Sequence, residues 1–188
     1  MLNDKIKRLQ NIKSLVEESF GKLSIQQLSK KPSPEKWSIA ECLQHLITSN
    51  ETYFPVLDKL AIGYIPTFWE KNNPFSRSIG KNMVDSLGVV VKKKFKSPKL
   101  FLPKKIKFPE NIVSSFCGHQ DHLIEKMEKL RHLEGKKVII SSPVSPLITL
   151  PLTDCLEVLT GHEERHFNQA MSVLNLIISK EPDQVIVN

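Results

Sequence analysis

The 188 residues carry 27 Lys and Arg against 20 Asp and Glu, a formal net charge of +7, with 40% hydrophobic and 25% charged residues, the balance of one soluble domain over residues 1–188 that is long enough to bury a core. Charges recur from Asp4 to Arg8 and no apolar run nears the ~20 residues of a membrane span, which excludes a secretory leader and a transmembrane helix. Three cysteines, Cys42, Cys117 and Cys155, form no C-x-x-C pair, which excludes a disulfide framework and points to reduced thiols in a cytoplasmic protein.

Leu2, Ile6, Leu9, Ile12, Leu15, Val16 and Phe20 fall at helical spacing, and Gly21 is a stop, so a first helix is predicted over residues 2–20. A polar stretch leads to Trp37. Ser38 followed three residues later by Glu41 is a capping box that opens a second helix, with Trp37 placed to staple onto Cys42. This helix runs through Leu46, Tyr53 and Leu57, with a kink or early end at Pro55. His45 flanks its apolar stripe.

Residues 62–108 hold repeated Gly and Pro and are expected to form a long connection, a crossover or a lid, with a short helix near Ser78 to Leu87. Eight lysines and no acid fall between Lys92 and Lys107. Such a stretch can serve a nucleic-acid or membrane surface. Pro98, Pro103 and Pro109 break any helix that would present it as one face, and no nucleic-acid motif accompanies it, so a solvated loop is favoured.

A third helix is predicted from about Pro109, through Ile112, Val113, Phe116, Leu123, Ile124, Met127 and Leu130, ending before Gly135. Val138–Ile140 and Leu147–Leu150 read as two short extended segments. A fourth helix starts at Thr153 or Asp154, passes through Leu156, Leu159, His162, His166, Ala170, Val173 and Ile177, and stops before Pro182. Four amphipathic helices without a strong sheet signal argue for an all-α four-helix bundle with a long crossover between its second and third members.

The chemistry concentrates in the fourth helix. At about 100° per residue, His162 and His166 lie about 40° apart, in the middle of the apolar face. Two buried imidazoles without partners are costly, and a divalent metal removes that cost by taking their neutral nitrogens. Two hydrogen-bonded core histidines are the plainer alternative; the i, i+4 pair favours metal. A stable site needs a third ligand. His122 projects away from the apolar face and His132 sits at a helix end, while His45 and His119 are nearly tied on spacing. Residues 162–166 also match the zinc-peptidase signature H-E-x-x-H, with Glu163 as base. The extended form fails, because Gln169 and Ser172 stand where it needs Gly and His. Glu181 and Asp183 are the downstream acids, both beside Pro182.

Two segments, Lys31-Pro32 to Trp37-Ser38-Ile39-Ala40-Glu41 and on to His45-Leu46, and Leu150-Pro151-Leu152-Thr153 to His162-Glu163-Glu164-Arg165-His166-Phe167-Asn168-Gln169, resemble the second and last helices of the DinB-like (DinB/YfiT) family. The resemblance implies an up-down-down-up four-helix bundle and a three-histidine metal site whose ligands fall on His45, His162 and His166, ahead of His119. It also implies a divalent transition metal, with zinc or nickel favoured, a small-molecule substrate that includes low-molecular-weight thiols, and a homodimer. The family contains thiol-dependent S-transferases and isomerases, and members described as metal-dependent hydrolases. The lysine-rich stretch departs from its motifs. Gln169, one turn beyond His166, is placed to bond a ligand, and Tyr53 and His119 to line a pocket; each serves equally well as a packing residue. The rival function is a non-catalytic, stress-related metal-binding protein. Neither nucleic acid nor membrane is expected as a partner, and no residue is assigned a catalytic role beyond the metal site.

Overall fold

Apolar residues recur every three or four positions in α1, Leu2–Phe20, and this spacing buries Leu2, Ile6, Leu9, Ile12, Val16 and Phe20 along one stripe. The helix ends at Gly21, whose N–H bonds the Glu17 carbonyl. The structure, a computed structural model, describes residues 1–88 and 108–180. The lysine-rich stretch from Lys92 to Lys107 lies outside the described residues, as do Glu181, Pro182 and Asp183.

The polar stretch after α1 contains a further helix, α2, Ile25–Ser29, capped by Ser24 and Gln27. It escapes a periodicity reading because it is five residues long and buries only Leu28. The Ser38 capping box opens α3, Ile39–Glu51. The Glu41 N–H donates to Ser38 Oγ at 3.1 Å, and the Ser38 N–H donates to the Glu41 carboxylate at 2.7 Å. Pro55 lies in the first turn of α4, Phe54–Ala61. It has no N–H to offer the Glu51 carbonyl, so the helix expected through Leu57 breaks into α3 and α4.

The long connection is largely structured where it is described. Thr67 and Glu70 cap α5, Phe68–Asn72, and α6 spans Ser76–Leu87. α7 covers Ile112–Glu128, and a 3-10 turn at Arg131–Leu133 follows it. The two extended segments pair as an antiparallel hairpin, β1 (Ile139–Ser142) with β2 (Ser145–Pro151), with Ile140 opposite Leu150. α8, Leu152–Lys180, starts on the residue after β2, without a loop.

The molecule is mostly helical. α1 and α3 each pack on both α7 and α8, and the four share one core that includes Leu9, Phe20, Leu46, Phe116, Leu123 and Leu159. α6 lies across α8 and β2. Gly80 permits that crossing, since a Cβ there would collide with Asp154 and with Pro151 Cδ. Among the described residues no helix is long and apolar enough to cross a membrane.

Candidate metal centre

α3 and α8 face one another and carry His45, His162 and His166 to one point. One ring nitrogen from each lies within 4.8 Å of the others. His45 Nε2 and His162 Nε2 are 3.2 Å apart, and the three ring centroids are separated by 5.0, 4.6 and 4.5 Å. Ser49, one turn beyond His45, places its Oγ 3.4 Å from His45 Nδ1, so His45 presents Nε2 to the cluster. His45 and His166 are buried, and His162 opens partly onto the neighbouring cavity.

Burial holds the two α8 rings neutral. It pushes His162 down to about 3, with His45 and Arg165 adding repulsion, and it pushes His166 further down in the same sense. Among the described residues, buried His166 Nδ1 has no hydrogen-bond partner. Three imidazoles with ring nitrogens converging on one largely buried point are what a divalent transition ion requires, so the donor set fits such an ion. Three imidazoles suit zinc, nickel, copper or iron.

Trp37 closes one side of the cluster. Its ring stacks on His166 at 5.5 Å and 15°, and it meets His45 edge-on at 4.8 Å. The other side opens into a cavity of about 610 Å³, mostly apolar in its lining, with Tyr53 and Gln169 in the wall. Gln169 lies beside His166 and offsets a little of the loss of basicity there. Burial raises the Tyr53 phenol well above its usual value. His119 does not line this cavity. Its ring stacks on Phe54 at 5.2 Å and 11°, buried, with Nε2 unpartnered. His122 and His132 are exposed. Cys42 and Cys155 are buried free thiols that burial pushes up to about 12, so neither offers a thiolate near neutral pH.

Glu163 sits between the two α8 histidines in sequence but faces elsewhere. One carboxylate oxygen accepts from Asn50 Nδ2 at 2.6 Å and the other from Gln120 Nε2. It is fully buried, and burial pushes its carboxyl up to about 8 against the pull of the two amides. Both oxygens are engaged where α3, α7 and α8 meet, so the carboxylate is not placed as the base that the H-E-x-x-H reading demands.

The sequence reading missed Trp37, Ser49 and Arg165 as members of the site. Ser49 and Arg165 had a signal, standing four residues after His45 and between the paired histidines. Trp37 was explained by its cap position alone. The wall from α6, including Asn82, Met83 and Ser86, had no signal, because nothing local says that the crossover folds back over α8.

His119 gives a testable pH dependence. Burial first, then His122, pushes its folded value down to about 4 from the usual 6.5. Below pH 6.5 the unfolded chain takes up a proton that the native ring refuses, so stability is lost as pH falls from 6.5 towards 4. His119→Phe keeps the ring stack and removes this titration. Urea unfolding from pH 7 to pH 4 is expected to show the variant losing roughly 2 kcal/mol less than the native protein. Parallel losses in the two proteins would refute the assignment.

A family model described as the DinB superfamily matches residues 8–170, most of the chain. Neither the curated proteins nor the solved structures contain a match.

Proposed function

The chain belongs to the DinB superfamily, and from that premise we propose that it is a metal-dependent enzyme of the thiol S-transferase or hydrolase type. In this reading His45, His162 and His166 are the ligands of one divalent transition ion, zinc or nickel, and the adjoining cavity takes a small molecule, with a low-molecular-weight thiol as a candidate. The single observation that carries it is the convergence of three imidazoles, two from α8 and one from α3, beside an open cavity. When bound, such an ion supplies Lewis acidity at coordination positions the protein leaves open. The chain's own groups do the rest. Ser49 orients His45, Trp37 shields His166 from water, and Gln169 and Tyr53 offer polar atoms to a ligand in the cavity.

The same reading makes α1, α3, α7 and α8 an up-down-down-up four-helix bundle forming one domain. Contacts between α1 and α8 support it by advancing together along both helices, from Lys5–Glu157 to Arg8–Glu164 to Phe20–Phe167. Those from α1 to α7 and to the turn that follows it, Lys13–Asp121 and Asn3–Arg131, advance in opposite senses, as an antiparallel pair does. A cytoplasmic homodimer without nucleic-acid or membrane partners completes the proposal.

The test is metal analysis of the purified chain, followed by a thiol-transfer assay before and after chelation. One equivalent of zinc or nickel, and activity that chelation abolishes and metal restores, is the expected result. Activity indifferent to chelation would overturn the enzyme reading. Bound metal without any activity would favour the non-catalytic rival.

A further inference from the structure

Arg165 is the one lysine or arginine lining the cavity among the described residues. It leaves α8 between the paired histidines and is half-buried. Its Nη1 donates to the Ser86 carbonyl at 3.4 Å, and no carboxylate pairs with it among the described residues. The acids next to it on α8 are committed elsewhere. Glu164 is held by Arg8 through two bonds of 2.7 Å, and Glu163 by Asn50 and Gln120. A guanidinium has five N–H donors in a planar fork that matches a carboxylate or phosphate. One long bond to a carbonyl leaves most of that capacity unused, on a wall that is otherwise largely apolar. The charge is close enough to the cluster to depress the basicity of both His162 and His166.

We propose that the cavity selects a small amphiphilic anion, its charged group paired with Arg165 and its apolar body laid against Ile79, Met83, Val158 and Leu159. The volume of about 610 Å³ is in the range of small-molecule sites. The proposal rests on reading this cavity as the substrate site of the metal centre, and it names the substrate class and the residue that sets it. Arg165 is on the same helix as two of the three histidines. An anion held there is therefore fixed relative to the cluster by one rigid element, and the rest of the ligand is directed towards the ion.

The test is calorimetric titration of the full chain with decanoate and with decanamide, which share an apolar body and differ in charge. It is run on metal-free and zinc-loaded protein, beside a separate measurement of zinc affinity. Decanoate is expected to bind at least about tenfold more tightly than decanamide in both states, from one charge-assisted contact in a partly dry site. Arg165→Met keeps an apolar stem and should erase that preference while leaving decanamide binding unchanged; Arg165→Lys should retain part of it. Equal binding of the two probes, binding of neither, or a loss in Arg165→Met that falls equally on both would overturn the proposal, since a guanidinium merely extended into solvent gives those results. If zinc binds and the charge preference is absent, this inference fails and the metal reading stands. If the preference is present and zinc does not bind, the reverse holds.

Discussion

Replacing His162 with alanine should weaken zinc binding by roughly a hundredfold to a thousandfold while the chain stays folded. Structural zinc sites bind with about 10–16 kcal/mol in all, so each protein ligand is worth about 3–4 kcal/mol. His162 is the ligand to remove because it opens onto the cavity and its loss leaves little void, whereas His166 packs beneath Trp37. The remaining pair, His45 and His166, cannot hold the ion as three ligands do. Competition against a chromophoric chelator measures the effect, and circular dichroism checks that the helices persist. Equal zinc affinity in native and variant protein would remove His162 from the coordination sphere and dissolve the proposed centre.

Glu163→Ala should destabilise the protein by roughly 2–6 kcal/mol, since two buried amide donors each lose an acceptor at a cost of about 1–3 kcal/mol. The carboxylate joins three helices, from its own α8 to Asn50 on α3 and Gln120 on α7. Without it, two buried amide N–H₂ groups lose their acceptor where no water reaches. Glu163→Gln should cost far less. Among the described residues, Asn50 Oδ1 and Gln120 Oε1 have no partner, so a turned amide can still be satisfied. Urea unfolding of both variants decides the matter. Equal and small losses would mean that the network adds little. Zinc affinity in Glu163→Gln should match the native value, since the carboxylate lies outside the histidine cluster.

What was legible in the sequence follows the range of the forces involved. The Ser38 and Glu41 box is a contact across three residues, and it opens α3 where expected. The stripe from Leu2 to Phe20 is a contact across one turn, repeated, and it yields α1. The i, i+4 geometry of His162 and His166 is equally local. Choosing His45 over His119 was not, because both lie at the edge of an apolar stripe and spacing cannot say which edge faces α8. Family resemblance pointed to His45, and the fold brings His45 to the pair while leaving His119 against Phe54. The cavity wall was invisible for the same reason. α6 meets α8 and β2 through a glycine contact at Gly80 that has no local signature. The break at Pro55 was anticipated only as one of two outcomes, since a proline can bend a helix or end it, and surrounding packing decides.

The distance in sequence between the paired histidines and their partner has a further consequence. His45 and His162 are 117 positions apart. A nascent α8 carries two of the proposed ligands as soon as it is helical, but the third arrives only when α3 has docked on it. An extended or half-assembled chain therefore offers an ion a weak two-point grip, and full coordination is a property of the finished tertiary arrangement. On the proposed metal reading, an ion would therefore favour the assembled form over a looser one.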